Sequence, residues 1–127
     1  MSDCLLDASA LLALLNQERG AEQVAARLPA AQISAVNLAE VVGKLSEAGM
    51  PEAEVRLTVG ALGLQIVAFD AGMAFEAGKL RPLTRKAGLS LGDRACLATA
   101  RILGQTVLTA DRAWAKLNVG VVIECIR

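Results

Sequence analysis

Apolar residues recur along the chain in two rhythms: short unbroken runs, and longer stretches in which polar residues return every third or fourth place. Asp3-Cys4-Leu5-Leu6-Asp7 reads as a short buried strand and Ala8 to Leu15 as a helix ending near Asn16, before the polar Gln17-Glu18-Arg19-Gly20. Gln32-Ile33-Ser34-Ala35-Val36 is again strand-like. Asn37-Leu38-Ala39-Glu40 after it carries the spacing of a capping box and predicts a helix to about Ala48. Gly49-Met50-Pro51 stops that helix, Pro51 suits the first turn of another reaching about Leu62, and Gln65 to Phe69 predicts a third strand. Asp70 opens a helical stretch through about Leu80, which Arg81-Pro82 breaks before a loop closing at Gly88. Ser90-Leu91-Gly92-Asp93 is a second capping box, starting an apolar helix that ends at Gly104. Gln105 to Thr109 predicts a strand, Asp111 to Leu117 a short helix, and Val119 to Ile126 a last strand.

Strands alternating with helices predict an α/β fold, one domain over residues 1–127 with a parallel sheet covered on both faces and right-handed crossovers. In such a sheet every strand-to-helix junction lies on one edge, where ligands bind. Asp7, Glu40, Asp93 and Asp111 all fall at or just past such junctions and should therefore share that edge. Taken singly, each is explained as a helix cap or a first-turn acid complementing the macrodipole. Asp70 meets the same geometric rule and is read as a cap. Several carboxylates crowded together repel one another and rise in pKa unless a cation neutralises them, which points to a bound metal.

Composition narrows the chemistry. The sequence holds no histidine and no tyrosine, which removes serine triads, imidazole acid-base catalysis and ordinary zinc hydrolase sites. Cys4, Cys96 and Cys125 sit in apolar stretches without CxxC spacing and read as reduced core residues. Oxygen ligands alone favour Mg²⁺ or Mn²⁺ over zinc. A hard cation on carboxylates suits phosphodiester hydrolysis, since it can activate water, polarise the phosphoryl group and stabilise the leaving oxygen.

Ser9 and Thr109 could add hydroxyls that orient a carboxylate, although Ser9 is also a plain first-turn residue and Thr109 a plain strand residue. The net charge is zero, yet residues 1–54 hold eight acids and three bases, a balance of −5, and residues 55–127 hold five acids and ten bases, a balance of +5. That asymmetry permits a local anion-binding face. Lys79, Arg81, Arg85 and Lys86 precede the second capping box, and Arg94 and Arg112 directly follow two of the acids; of these, Arg85, Lys86, Arg94 and Arg112 are candidate phosphate contacts, against the plainer reading of solvated or charge-screening side chains. Phe69, Phe75 and Trp114 are too few for a base-stacking platform, and Trp114 is expected in the core.

The mean hydropathy of +0.47 and 54% hydrophobic residues imply a large core or a sticky surface, but no apolar run reaches the ~18 residues of a membrane span. The acidic start Met1-Ser2-Asp3 lacks the basic segment of a signal peptide, so a cytoplasmic protein without membrane contact is expected.

Four segments in order resemble the PIN-domain proteins of the VapC type: Leu5-Leu6-Asp7-Ala8-Ser9-Ala10-Leu11; Asn37-Leu38-Ala39-Glu40-Val41; Leu89-Ser90-Leu91-Gly92-Asp93 with Ala98-Thr99-Ala100; and Val107-Leu108-Thr109-Ala110-Asp111-Arg112. The resemblance spans almost the whole chain. It implies a three-layer α/β/α sandwich with a mostly parallel sheet, and an endoribonuclease binding Mg²⁺ or Mn²⁺ through Asp7 and Asp93, with Glu40 and Asp111 completing the acidic pocket. It further implies an RNA substrate, a homodimer, and a small antitoxin that covers the active site and represses the operon as part of the complex. Trp114 stands where some relatives have another acid or amide, which leaves the number of metals open, and Gly92 stands where many have alanine, an exchange expected to cost little in a first helical turn. The rival readings are a receiver-like signalling domain using Asp70, which lacks the acidic pair and the terminal lysine it needs, a phosphatase with Asp7 as nucleophile, whose second Asp is replaced by Ser9, and a catalytically inactive PIN-fold interaction module.

Overall fold

The computed structural model describes residues 2–127. Among these, five strands form one sheet: β1 (Cys4–Leu6), β2 (Ala31–Ser34), β3 (Gln65–Val67), β4 (Thr106–Thr109) and β5 (Ile123–Cys125). Their order is β3-β2-β1-β4-β5, and every neighbouring pair is parallel, with Leu6 opposite Ile33 on one side and Leu108 on the other. Seven α-helices cover it: α1 (Ala8–Leu15), α2 (Ala21–Arg27), α3 (Ala35–Glu47), α4 (Glu52–Gly60), α5 (Ala71–Lys79), α6 (Arg81–Thr84) and α7 (Leu91–Leu103).

The three-layer sandwich follows from side-chain alternation along the central strands. Cys4, Leu6, Ile33 and Leu108 pack on one face with α1 to α4, whereas Leu5 and Val107 pack on the other with Ala77 and Leu80 and with Cys96, Leu97 and Ala100 of α7. Strands buried on both faces need near-continuous apolar runs, and β1 is wholly buried. Apolar residues also remain outside, among them Leu57, Phe75, Leu83, Leu91 and Val122. The high hydropathy thus has both sources. Among the described residues no helix is long and apolar enough to cross a membrane.

Several boundaries differ from expectation for identifiable reasons. The helix after β2 starts at Ala35, not Asn37: the Ser34 hydroxyl accepts the Val36 N–H and caps it, so Asn37 lies inside the first turn and forms no capping box. Pro51 is the cap of α4 and lies just outside its first turn. Pro82 does not open a loop; it occupies the first turn of α6, where its missing N–H costs nothing. The last strand shrinks to three residues. Helix α2 carries only two buried residues, Ala21 and Val24, and so leaves too weak a stripe to be read from sequence. Its N-cap is Gly20, whose φ of 98° only glycine adopts readily and whose absent Cβ would lie 2.7 Å from the Ile126 carbonyl oxygen. Cys4 and Cys96 are buried and Cys125 only half-buried, so the third thiol is not a core residue.

Candidate active site

Strand order reverses at β1: the chain passes from β1 to β2 on one side, while β4 returns on the other. A parallel sheet opens a crevice at its carboxyl edge where that happens. Asp7 is the residue that leaves β1 into the crevice. A cleft of about 250 Å³ there is lined by Asp7, Ala8, Ser9, Leu12, Glu40, Lys44, Asp93, Asp111 and Trp114. The four acids nominated by the strand-to-helix rule thus share one cavity.

Asp7 is the most constrained of them. Only 4% exposed, its Oδ1 accepts the Ser9 hydroxyl at 2.7 Å and the Ala10 N–H at 2.8 Å, and its Oδ2 accepts the Thr109 hydroxyl at 2.5 Å. Three of the carboxylate's roughly four acceptor positions are thereby filled, leaving one on Oδ2. Ser9 and Thr109 each spend their single proton on Asp7, so their 3.3 Å approach is a packing contact; each also accepts a backbone N–H, from Ala110 and Asp111 respectively. Thr109 is thus both a strand residue and a hydroxyl that orients the Asp7 carboxylate. Burial pushes the Asp7 carboxyl above its ordinary pKa against the pull of these hydrogen bonds, and the charge of Asp93 raises it further. Below the cleft, the buried Cys96 thiol is held well above its usual pKa first by burial, then by Asp7, Asp93 and Glu40.

The other three acids are oriented more lightly. Asp93 completes the expected capping box, its Oδ2 accepting the Ser90 N–H at 3.0 Å. Asp111 caps a 3₁₀ turn over Arg112–Lys116 by accepting the Ala113 N–H through Oδ1. Glu40 accepts an amide N–H of Asn37 at 2.8 Å through Oε1. Among the described residues each keeps its second oxygen free of hydrogen-bond donors. The acids line the cleft without converging: no three acids or cysteines among the described residues stand close enough to enclose an ion. The donor set is oxygen alone, and Asp7, buried and beside Asp93, is the group a cation would relieve.

The proposed phosphate contacts fare differently. Arg94 is buried, and its guanidinium donates to the Ala77 carbonyl oxygen at 3.1 Å, so it ties α7 to α5 and reaches no cleft. Its place one residue after Asp93 on a helix turns it about 100° away, toward the core. Arg112 lines a separate pocket with Arg19 and Arg127, its Nε donating to the Arg127 carbonyl oxygen. Arg85 and Lys86 are exposed just after α6, outside the acidic cleft. The cation inside it is Lys44, which the sequence reading passed over; it stands four residues after Glu40 and so on the same face of α3, a spacing that was there to be read. Trp114 is 1% exposed, packs in the core as expected, and also lines the cleft. Asp70 accepts the Met73 N–H at 2.9 Å as the cap of α5, beside edge strand β3 and away from the cleft. A Cβ at Gly92 would meet only the carboxylate end of the exposed Glu40 side chain, so alanine there would displace that carboxylate without disturbing the backbone.

This chain belongs to the PIN domain family, whose sequence model matches residues 4–120. Its fold is similar to that of a chain in the DNA-bound VapBC complex from Salmonella typhimurium, with a TM-score of 0.78, 20% identity and 100% of each chain covered. A chain of a toxin-antitoxin complex from Klebsiella pneumoniae aligns at TM-score 0.72 and 25% identity over 94% of this chain and 96% of that one. A chain of VapBC-1 from nontypeable Haemophilus influenzae gives 0.74 and 17% identity over 97% of both. No curated protein sequence matches the chain.

Proposed function

We propose that this protein is a Mg²⁺- or Mn²⁺-dependent endoribonuclease of the VapC type and the toxin of a toxin-antitoxin pair. The observation that carries this reading is the single cleft lined by Asp7, Glu40, Asp93 and Asp111 at the strand-order reversal of a PIN-family sheet. Asp7 and Asp93 would hold the ion, and Glu40 and Asp111 would complete the acidic pocket. When bound, such an ion supplies a Lewis acid for the phosphodiester and a more acidic water. The protein's own part is positional: Ser9 and Thr109 fix the rotamer of Asp7, the Ser90 cap fixes Asp93, and Lys44 offers the cleft's one ammonium to a substrate phosphate. Arg85 and Lys86 are exposed and could extend that phosphate track outside the cleft, whereas Arg112, also exposed, is tied to the Arg127 carbonyl oxygen through Nε.

RNA as the substrate rests on the resemblance of the four segments, as does the homodimer. An antitoxin partner draws support from the complexes in which chains of similar fold occur. Surface for such partners is present: a groove of about 580 Å³ lined by Leu38, Val42, Val55, Val59 and Ile66, and the exposed Phe75, Leu83 and Leu91. The test is cleavage of single-stranded RNA and of DNA of the same sequence, with Mg²⁺, Mn²⁺, Zn²⁺ or EDTA. RNA cleavage is expected with the first two alone; cleavage that survives EDTA, or is equal on DNA, defeats the reading. Light scattering of the pure chain, and co-purification with the product of the adjoining gene, test the dimer and the partner.

A further inference from the structure

Two features beside the cleft are unfavourable by themselves. Asn37 is 1% exposed, and its Oδ1 is buried with no hydrogen-bond partner, a desolvation cost without return. Gly92 sits inside the first turn of α7 at an ordinary negative φ, where alanine would serve the helix better. Both lead to Glu40. The Asn37 Nδ2 group donates one hydrogen to Glu40 Oε1 at 2.8 Å and the other to the Gly92 carbonyl oxygen at 3.0 Å. Two acceptors on one side leave the amide no freedom to flip, which is why Oδ1 is the atom stranded. A Cβ at Gly92 would lie 2.6 Å from Glu40 Cδ and 2.7 Å from Oε1, with Oε2 closer still. The Glu40 carboxylate therefore occupies the space that a side chain at 92 would fill.

We infer that Asn37 and Gly92 form a latch that positions the Glu40 carboxylate against the first turn of α7, one residue from Asp93. Asn37 acts as a positioning residue: it engages only Oε1 of Glu40 and leaves Oε2 without a hydrogen-bond donor. Gly92 supplies the gap. Without the latch, Glu40 is an exposed glutamate on a helix surface, with its carboxylate spread over several rotamers. The role in cleavage rests on the ribonuclease reading, whereas the contact between Glu40 and position 92 does not.

The experiment uses the full chain and a double-mutant cycle of G92A and E40A, read first by thermal melting and then by RNA cleavage with Mg²⁺. G92A is expected to stabilise the chain less in the Glu40 background than in the E40A background, because with Glu40 present the added methyl must push the carboxylate out of the gap and away from Asn37, whereas in E40A it meets open space and alanine favours the helix. On cleavage, G92A and N37A should each lower kcat about 10- to 100-fold, the scale of losing a group that orients a ligand, with little change in KM. G92A should cost nothing further once E40A is present. Equal melting shifts in both backgrounds overturn the latch. Unequal melting shifts with cleavage unchanged in both G92A and N37A overturn the positioning role and leave only packing. A wild-type chain without metal-dependent cleavage sinks the ribonuclease reading instead, and the melting cycle then still decides the latch on its own.

Discussion

Asp7 and Asp70 occupy the same local structure. Each follows a strand, each has extended backbone, and each caps the next helix by accepting the N–H three residues on, at 2.8 and 2.9 Å. What separates them is position in the sheet. Asp7 leaves central β1, where β4 brings Thr109 from 102 residues away, whereas Asp70 follows edge strand β3 and is exposed. Capping and chemistry are therefore not competing explanations of a strand-end acid. The cap comes from the local chain; the site comes from which strands flank it.

The contrast breaks most sharply at Asp7 itself. D7N should lower RNA cleavage by about two to three orders of magnitude, the scale of removing one group that stabilises developing charge. The same change should raise the melting temperature, since it removes a buried charge facing Asp93; a lower melting point would show that the hydrogen bonds to Asp7 outweigh its burial. Next is T109V, which strands the Asp111 N–H and frees Asp7 Oδ2. It should cost about 1–3 kcal/mol of stability by urea denaturation, and cleavage should fall 10- to 100-fold.

A smaller effect is expected in the pH dependence of stability. Because the folded pKa of Asp7 is raised above its ordinary 3.8, the folded chain holds this proton at pH values where the unfolded chain has lost it. Its contribution is thus present at low pH and is lost as pH rises from about 4 through the folded value. D7N should flatten that part of the profile, and Mg²⁺ should restore stability to the wild type but not to D7N at neutral pH. The smallest change belongs to the other member of the pair: D70A should lose about 1 kcal/mol, the worth of a helix cap, with cleavage per folded molecule unaltered.

The alternation of strands and helices, the sheet edge and the gathering of four acids in one cleft were legible because they depend on local pattern and one topological rule. Thr109 was less so. Nothing adjacent to it in sequence says that its hydroxyl meets Asp7, and that contact exists only once β1 and β4 pair. Arg94 misled for the same reason: adjacency to Asp93 suggested the cleft, but helical rotation sends it into the core. Asn37 looked like a cap because its spacing to Glu40 fits one; the structure assigns capping to Ser34 and shows that the same spacing serves a side-chain bond within the helix. Gly92 illustrates what spacing leaves out altogether, namely that an absent side chain can be the space another residue fills.

The pairing of β1 with β4 also orders events during synthesis. A ribosome releases Asp7 and Glu40 early, but the strand that locks Asp7 in place arrives only at Thr109, and Asp111 follows it. Until then the first strand has one neighbour instead of two, and the carboxylate that leaves it lacks its Thr109 hydroxyl and the Ala110 clasp on Ser9. The four acids can therefore share one cleft only after the chain has been extended through Asp111.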